Sequence, residues 1–452
     1  MPFVLSRVTR FLRVTAQRRR RIDISVRITA KVLLGGACLL AAEGLCSGQG
    51  SGILCTHGEG QFSRVSKTDV AVIVDAQKDN GLATRACEAK LVWNKKEIQV
   101  ARNAWQADVD VMDVDLGAGG PTVAFQVKRT DVAPSMTYAI YLLRDSPQLI
   151  RTISGGDLYS AADTDLDGRI EIWTGDADAA NGFEGIPLAD FDFAPTIVMR
   201  FEKRRLMDVS SEFESDYDRQ IGEIRAQLDG RQLSEFKKSD GRFETIPPWE
   251  TEKLHGLHAT KMKVLEMVWA YLYSGREQEA WRILAEMWPE ADVERIRTAI
   301  VKARAGGISN QVDGVLAGSA TPEKIKHAEV YDLTAFPASV DSWAVSRARA
   351  SEVQTASAEA ALPKNVTMPE VISLSSLPFS DSEQVTLRSG VLVDLVIDAA
   401  GKVRSARLAR KEDEGSIGES LIRASGHWKF TPAMEFGHAV ASHIRLTVSL
   451  DR

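Results

Sequence analysis

Between about residues 60 and 206, short apolar runs alternate with turn residues. The clearest runs are 70–75, 90–93, 122–127 and 138–143. Runs of this length, separated by Gly, Asp and Asn, are typical of antiparallel β-strands. The chain has 452 residues, enough for more than one domain. We therefore predict an α+β multidomain protein with an antiparallel β-rich domain over residues 49–206.

The charge of the chain is unevenly distributed. Residues 1–31 hold eight Arg and Lys31 against one acid, Asp23, although the whole chain has a net charge of -6. The first 31 residues therefore carry about +8 and the rest about -14. An acidic body disfavours a broad basic face, so we predict that the protein does not bind nucleic acid.

The basic stretch is followed by features of an export signal. Residues 32–42 are apolar, Lys31 and Glu43 bracket them, and residues 46–52 are small and polar. A membrane-spanning helix needs about 20 apolar residues, so this run is too short for one and is typical of a signal peptide. We predict a signal peptide over residues 1–48 and a periplasmic mature protein. An uncut inner-membrane anchor is the alternative, and only that form would contact the membrane.

Export would place the cysteines in an oxidising compartment. Cys46, Cys55 and Cys87 lie outside the apolar run, and no Cys-x-x-Cys spacing suggests a metal or redox site. We predict a disulfide between Cys55 and Cys87, with unpaired thiols as the alternative.

An acidic motif occurs twice at a spacing of 50 residues. Asp113-Val-Asp115-Leu116 precedes one predicted strand, and Asp163-Thr-Asp165-Leu166 precedes another. Two copies at this period are typical of propeller blades or of repeated β-hairpins. The β-rich domain is therefore predicted to be propeller-like or built from hairpin repeats.

The second copy continues as Asp163-x-Asp165-x-Asp167-Gly168-x-Ile170-Glu171. Carboxylates at alternate positions of a tight loop can surround a calcium ion with oxygen ligands. The motif resembles the strand-flanked Asp-rich loops of FG-GAP and related propeller repeats. That resemblance implies Asp163, Asp165, Asp167 and the backbone carbonyl of Arg169 as ligands, with Glu171 as a further one. The alternative is an acidic turn whose carboxylates cap their own backbone.

The chain changes period beyond residue 208. Apolar residues at spacings of three and four over 213–228 predict an amphipathic helix, and 261–273 and 277–288 predict an αα-hairpin. We assign residues 207–310 to a helical segment. Residues 311–365 are rich in Ala, Ser, Thr, Asp and Glu, and we predict a linker there.

Residues 366–452 form the last predicted domain. Its strands are 389–398, 403–408 and 440–450, and a helix at 416–428 precedes the third. The motif Gly390-Val-Leu-Val-x-Leu-Val-Ile-Asp398-x-x-Gly401-Lys-Val403, then Trp428-Lys-Phe-x-Pro432-Ala433 and Gly437, resembles the C-terminal domain of TonB-like energy transducers. The predicted fold is a β-β-α-β unit.

The resemblance implies a periplasmic domain that pairs its last strand with an extended segment of an outer-membrane receptor or another cell-envelope protein. The pairing edge would consist of Ser442, His443, Ile444, Arg445, Leu446, Thr447, Val448 and Ser449. Two features of the family are missing, a Tyr-Pro before the first strand and an uninterrupted Pro-rich spacer.

Three functions follow from these observations. We first expect an exported protein-binding adaptor, as the export signal and the TonB-like resemblance imply, and we expect it to be non-enzymatic because no hydrolase, Walker or Rossmann motif occurs. A divergent inner-membrane energy transducer for outer-membrane transport is the second possibility and requires an uncut N-terminal segment. A periplasmic enzyme with a metal at Asp163, Asp165 and Asp167 is the third.

Overall fold

Several antiparallel sheets and seven α-helices make up the part of the chain that can be described. The computed structural model describes residues 53–77, 86–131, 135–188, 191, 193–244, 246–316, 328–335, 338–341, 362, 365–374, 390–411 and 415–449. They belong to one compact unit, Ser47–Arg452. This confirms the mixed α+β class, and the sheets in these ranges close neither a barrel nor a propeller. The predicted signal peptide, 1–48, lies outside the described residues.

We call the described residues from 53 to 316 the body, and two antiparallel sheets form its first half. One is a meander of β2 Gln61–Val65, β3 Ala71–Gln77, β4 Ala86–Trp93 and β5 Lys96–Ala104. The other, which we call the central sheet, has the order β1-β6-β7-β8-β9, with β1 Cys55–Thr56, β6 Gln106–Val114, β7 Thr122–Lys128, β8 Met136–Leu142 and β9 Gln148–Gly156.

Strand β6 is buried along its whole length. Val109 and Met112 belong to the apolar core shared with the meander, whereas Val111 and Val114 belong to a second core shared with the third sheet and the helices. Both faces of the central sheet are therefore covered, so polar side chains on β6 must find partners inside the protein.

The third sheet carries the second copy of the acidic motif. It consists of β10 Ser160–Ala162, β11 Glu171–Gly175, β12 Thr196–Glu202, β13 Arg205–Asp208 and β14 Gly314–Val315. Each copy of the motif leads into a hairpin loop, the first between β6 and β7 and the second between β10 and β11. The two hairpins belong to different sheets.

Six helices share one apolar core with the third sheet, and a seventh belongs to the C-terminal part of the chain. The six are α1 Ala177–Ala180, α2 Glu214–Gln227, α3 Gly230–Lys237, α4 Thr251–Tyr273, α5 Glu277–Met287 and α6 Val293–Gly306, and the seventh is α7 Ser416–Ser425. Tyr217, Ile221 and Ile224 of α2 are buried, as their spacing predicts. Helices α4 and α5 form the predicted αα-hairpin, in which Gly275 at φ 81° makes the turn. None of the described helices is long and apolar enough to span a membrane.

Residues 390–449, which we call the C-terminal unit, form a β-β-α-β arrangement. Its sheet has the antiparallel order β20-β19-β24, with β19 Val391–Ile397, β20 Val403–Leu408 and β24 Ser442–Ser449. Helix α7 and the short strands β21 Lys429–Thr431, β22 Ala433–Glu435 and β23 His438–Val440 lie between β20 and β24. Trp428 and Phe430 are buried in its core with Leu395 and Leu421.

Parts of the predicted linker form strands. Strand β14 pairs with β13, and β15 Tyr331–Asp332 and β16 Ala338–Asp341 both pair in parallel with β24. Leu333 is buried in the core of the C-terminal unit. The next strands, β17 Val366–Thr367 and β18 Glu370–Ser373, pair with β22 and β21. Residues 314–315, 331–332 and 338–341 of the predicted linker therefore belong to two sheets.

Candidate functional site: the strand edge and the acidic junction

The predicted pairing edge lies on β24. One side of the strand pairs with β19, from Ser442 opposite Ile397 to Val448 opposite Val391. Arg445 is fixed by Asp394 of β19, to which its guanidinium donates at 2.8 and 3.1 Å. This pair holds the pKa of the Asp394 carboxyl below its ordinary value. The order and register of β19 and β24 are thus set by main-chain pairing and by one cross-strand ion pair.

The other side of β24 is paired with the protein's own chain. Tyr331 and Asp332 lie opposite Ser442 and His443, and residues 338–341 lie opposite residues 446–449. The Leu333 amide also donates to the His443 carbonyl at 2.8 Å. A partner strand could pair along residues 442–449 only where these segments leave the edge. The sequence offered no indication of this pairing, because residues 331–341 lack the alternation of a typical strand.

The C-terminal unit is joined to the body by two buried ion pairs. The Lys429 ammonium contacts the Asp108 carboxylate, and the Lys402 ammonium contacts Asp110. Both aspartates lie on β6 and are nearly inaccessible, at 3% and 2% exposed. The Lys402 ammonium also donates to the Asp110 carbonyl at 2.8 Å.

Both aspartates have further partners within the body. The Asp110 carboxylate accepts from the Tyr138 hydroxyl at 2.6 Å and from the Ala161 amide at 2.8 Å. The Asp108 carboxylate accepts from the Leu54 amide at 3.2 Å. Buried carboxylates need such compensation, so β6 depends on the lysines of the C-terminal unit. Sequence reasoning missed these residues, although aspartates at alternate positions of an apolar strand were a usable sign.

The acidic loop between β10 and β11 also lies where the body meets the C-terminal unit. One carboxylate oxygen from each of Asp163, Asp165 and Asp167 lies within 4.8 Å of the others. The Asp163 carboxylate accepts from the Asp167 and Gly168 amides at 2.9 and 3.1 Å. Gly168 has φ 86°, which closes the loop. The structure therefore brings three of the five predicted ligand residues together, in a turn that also caps its own backbone.

Two arginines contact the predicted ligand residues. The Arg169 side chain donates to the Asp167 carboxylate at 2.6 Å, and the Arg169 backbone carbonyl stays a predicted ligand. The Glu171 carboxylate accepts from Arg200 at 3.2 Å, in a pair where both side chains are nearly fully buried. Burial, and next the charge of Asp165, raise the pKa of Glu171 to about 8, although Arg200 opposes this. Carboxylate oxygens suit calcium, but the Arg169 and Arg200 guanidinium groups would compete with the ion for the Asp167 and Glu171 carboxylates.

A carboxylate of the C-terminal unit faces the loop. The Asp163 amide donates to the Asp398 carboxylate at 3.2 Å, and both aspartates are fully buried. Burial first, and the charge of Asp398 second, raise the pKa of Asp163 to about 7. Burial likewise raises the pKa of Asp398 to about 6, against the opposing effect of its backbone hydrogen bond from Lys402. Two carboxylates from distant parts of the chain therefore share one buried site.

The Cys55–Cys87 pair is a disulfide in the structure, with an S–S distance of 2.05 Å. It joins β1 of the central sheet to β4 of the meander. Both cysteines are completely buried in the core between these sheets. The bond thus ties together the two sheets at the start of the described chain.

Comparison of the chain with protein-family models, with characterised proteins and with solved structures finds no match. The functional assignment therefore depends on the geometry of the described residues.

Proposed function

We propose that the protein is an exported, periplasmic, non-enzymatic adaptor whose C-terminal unit binds an extended segment of a cell-envelope protein. The supporting observation is the pairing of β24. Its outer edge accepts an extended segment in the protein itself, through residues 331–332 and 338–341. In strand addition, main-chain hydrogen bonds of this kind supply the affinity. The partner segment would take the place of residues 338–341.

The ties between the C-terminal unit and the body favour an adaptor over an energy transducer. The resemblance to a transducer implies a terminal domain on an uninterrupted Pro-rich spacer, whereas here Lys402 and Lys429 hold the unit on β6. Separating the two parts would leave Asp108 and Asp110 without their cationic partners. Removal of one partner of a buried ion pair costs about 3–5 kcal/mol, so substitution of either lysine should destabilise the contact between the unit and the body.

The binding proposal is tested with a peptide and a variant. The double substitution Ser339→Pro/Val340→Pro removes two successive amides from β16, so that pairing with β24 is lost whichever amide faces it. A fluorescein-labelled peptide of residues 329–342 is then titrated into the full mature chain, and its anisotropy is followed. The peptide with the same two prolines is the control.

We expect the unmodified peptide to bind the variant at least about tenfold more tightly than the wild type, a difference of about 1.4 kcal/mol. The proline peptide should bind neither protein. Equal affinity of the peptide for variant and wild type would show that β24 is not the binding edge. No binding to the variant would show that the edge does not accept a strand in trans.

Export is tested separately. The intact mass and N-terminal sequence of the protein from fractionated native cells would show where the mature chain starts. We expect a start close to residue 49 in the periplasmic fraction. An intact N-terminus in the inner-membrane fraction would contradict the periplasmic adaptor and favour an anchored transducer.

A further inference from the structure

The Lys402–Asp110 pair, one of the two that join the C-terminal unit to the body, places an amine against a carboxyl group away from water. The Lys402 side chain is 13% exposed and the Asp110 side chain 1%. The Lys402 Nζ contacts Asp110 Oδ1 and also donates to the Asp110 carbonyl at 2.8 Å. Two acceptors of one residue therefore hold the nitrogen beside the carboxyl group.

The two oxygens of the Asp110 carboxyl group have different partners. Oδ2 accepts from the Tyr138 hydroxyl at 2.6 Å and from the Ala161 amide at 2.8 Å. Oδ1 faces the Lys402 nitrogen. Two donors directed at one oxygen of an acyl group form an oxyanion hole, which stabilises the tetrahedral intermediate of acyl transfer. The geometry therefore suits attack by the amine, with Oδ2 stabilised and Oδ1 as the leaving oxygen.

Both donors are fixed in place. Tyr138 is completely buried, and its ring stacks on Tyr159 with 4.8 Å between the ring centroids. Burial, and next the charge of Asp110, raise the pKa of Tyr138 well above its ordinary value, so its hydroxyl keeps the proton that it donates. Ala161 lies on β10 and is also completely buried. Donors that are already in position need no reorganisation as charge develops on the oxygen.

The neighbouring Lys429–Asp108 pair has a different environment. Its side chains are buried to a similar extent. Within the described residues, however, the second oxygen of Asp108 accepts one hydrogen bond, from the Leu54 amide at 3.2 Å. Burial therefore does not distinguish the two pairs, whereas the paired donors at Asp110 do.

From this arrangement we infer that Lys402 and Asp110 condense to an intramolecular isopeptide bond, which fastens the C-terminal unit covalently to β6. The ammonium first passes a proton to Oδ1, which gives a neutral amine and a neutral carboxylic acid. Burial favours this transfer because it disfavours the charged forms. Nζ then attacks Cγ, and the Tyr138 and Ala161 donors stabilise the negative charge on Oδ2. As the Cγ–Oδ1 bond breaks, Oδ1 leaves as water with two of the three ammonium protons, and the third stays on the amide nitrogen.

The fold supplies what this condensation requires. Two reacting groups held in a suitable geometry reach effective concentrations of about 10⁵–10⁸ M. The bond also replaces two buried charges by a neutral amide, which removes the cost of their desolvation. The inference does not depend on strand binding at β24.

The experiment is intact mass spectrometry of the full mature chain after reduction of its disulfide. We expect the wild type to be lighter than its calculated mass by one water molecule. A tryptic digest should contain residues 103–128 joined to residues 389–404, without cleavage after Lys402. The joined peptide distinguishes the isopeptide bond from a loss of water elsewhere in the chain.

Substitutions test the reacting groups one at a time. Lys402→Arg keeps the positive charge but has no primary amine, so this variant should have its full calculated mass. Asp110→Asn should lose ammonia in place of water, because the leaving group is then the amide nitrogen. Lys429→Arg changes the neighbouring pair and is the matched control, which should lose one water as the wild type does. Tyr138→Phe removes one oxyanion donor and should slow bond formation about 100-fold, which samples taken during cell-free synthesis would show.

A wild type with its full calculated mass would overturn the inference. A loss of water that persists in Lys402→Arg, or a loss of water from Asp110→Asn, would place the reaction at other residues. Equal rates for Tyr138→Phe and the wild type would show that the Tyr138 hydroxyl does not act as an oxyanion donor.

Discussion

Two glycines of the C-terminal unit adopt the same backbone conformation in different surroundings. Gly401 has φ 83° and Gly437 has φ 86°, a region that favours glycine. A Cβ atom at Gly401 would overlap the Phe430 carbonyl, whereas nothing lies within 4 Å of one at Gly437. The Phe430 amide also donates to the Gly401 carbonyl at 2.9 Å. Gly401 therefore sets how closely the β19–β20 turn approaches β21.

The two glycines give a matched pair of substitutions. Gly437→Ala should lower the free energy of unfolding by about 1–2 kcal/mol, the cost of a left-handed conformation with a Cβ. Gly401→Ala should cost more, about 3 kcal/mol or above, because the backbone must also shift. Urea unfolding of both variants measures the difference. Equal losses would show that the contact with Phe430 does not restrict this position.

The buried pair Asp163 and Asp398 predicts a pH dependence. Their pKa values, about 7 and about 6, lie above the unfolded value of about 3.9. The folded state therefore holds more protons than the unfolded chain between about pH 4 and pH 7, and the free energy of unfolding falls as the pH rises through that window.

Asp398→Asn should make this fall shallower, because it removes one carboxyl and its repulsion on Asp163. Unfolding by urea across this pH range, with EDTA present, measures the slope. Asp218→Asn, at a side chain that is 60% exposed, is the control. A slope for Asp398→Asn as steep as that of the control would contradict the assignment.

Calcium binding by Asp163, Asp165 and Asp167 stays a prediction. If the loop binds the ion, saturating calcium should raise the melting temperature, since about 100-fold excess over Kd stabilises by about 2.7 kcal/mol. Asp165→Ala should abolish the shift. Asp115→Ala changes the first copy of the motif, where Gly117 replaces the third acid, and should leave the shift intact. A shift that survives Asp165→Ala would place the ion elsewhere.

At the scale of elements, the C-terminal unit and the body are connected by side chains that are far apart in sequence. Lys402 and Asp110 are separated by 292 residues, and Lys429 and Asp108 by 321. Each pair has a buried aspartate on β6 and a lysine near the end of the β19–β20 turn or at the start of β21. The turn and β21 are themselves joined through Gly401 and Phe430. Both ion pairs therefore lie at the end of the unit where the β19–β20 turn meets β21.

Lys429→Met should lower the free energy of unfolding by about 3–5 kcal/mol, because Asp108 would stay buried without its partner. Lys429→Met/Asp108→Asn should recover part of that loss, since the amide oxygen can still accept from the Leu54 amide. Denaturant unfolding of the two single variants and the double variant gives the coupling energy. Lys411→Met, at an exposed position, is the control. A loss no larger than that of the control would show that the pair does not fasten the unit.

Across the whole molecule, the sequence predicts individual helices and strands better than it predicts which of them pack together. The three- and four-residue spacing in α2 and the alternation in β3 are local consequences of burial on one face, so sequence is sufficient to predict them. The acidic loop is equally local. The return of residues 338–341 to β24 is not, because their pairing partners lie more than a hundred residues away. The cavity lined by Thr164, Asp216 and Arg404 also depends on three distant segments, which no single sequence pattern connects.

Hydrogen exchange along β24 tests whether its outer edge is a strand-binding site occupied by residues 338–341. In the wild type, we predict slow exchange of the amides of residues 446–449 that face β16. These amides should exchange rapidly in Ser339→Pro/Val340→Pro and become protected again when the peptide of residues 329–342 is added. Amides that pair with β19 should stay protected throughout. Unchanged amide protection in the variant would show that residues 338–341 do not protect this edge. A peptide that restores no protection would show that the edge does not bind a strand.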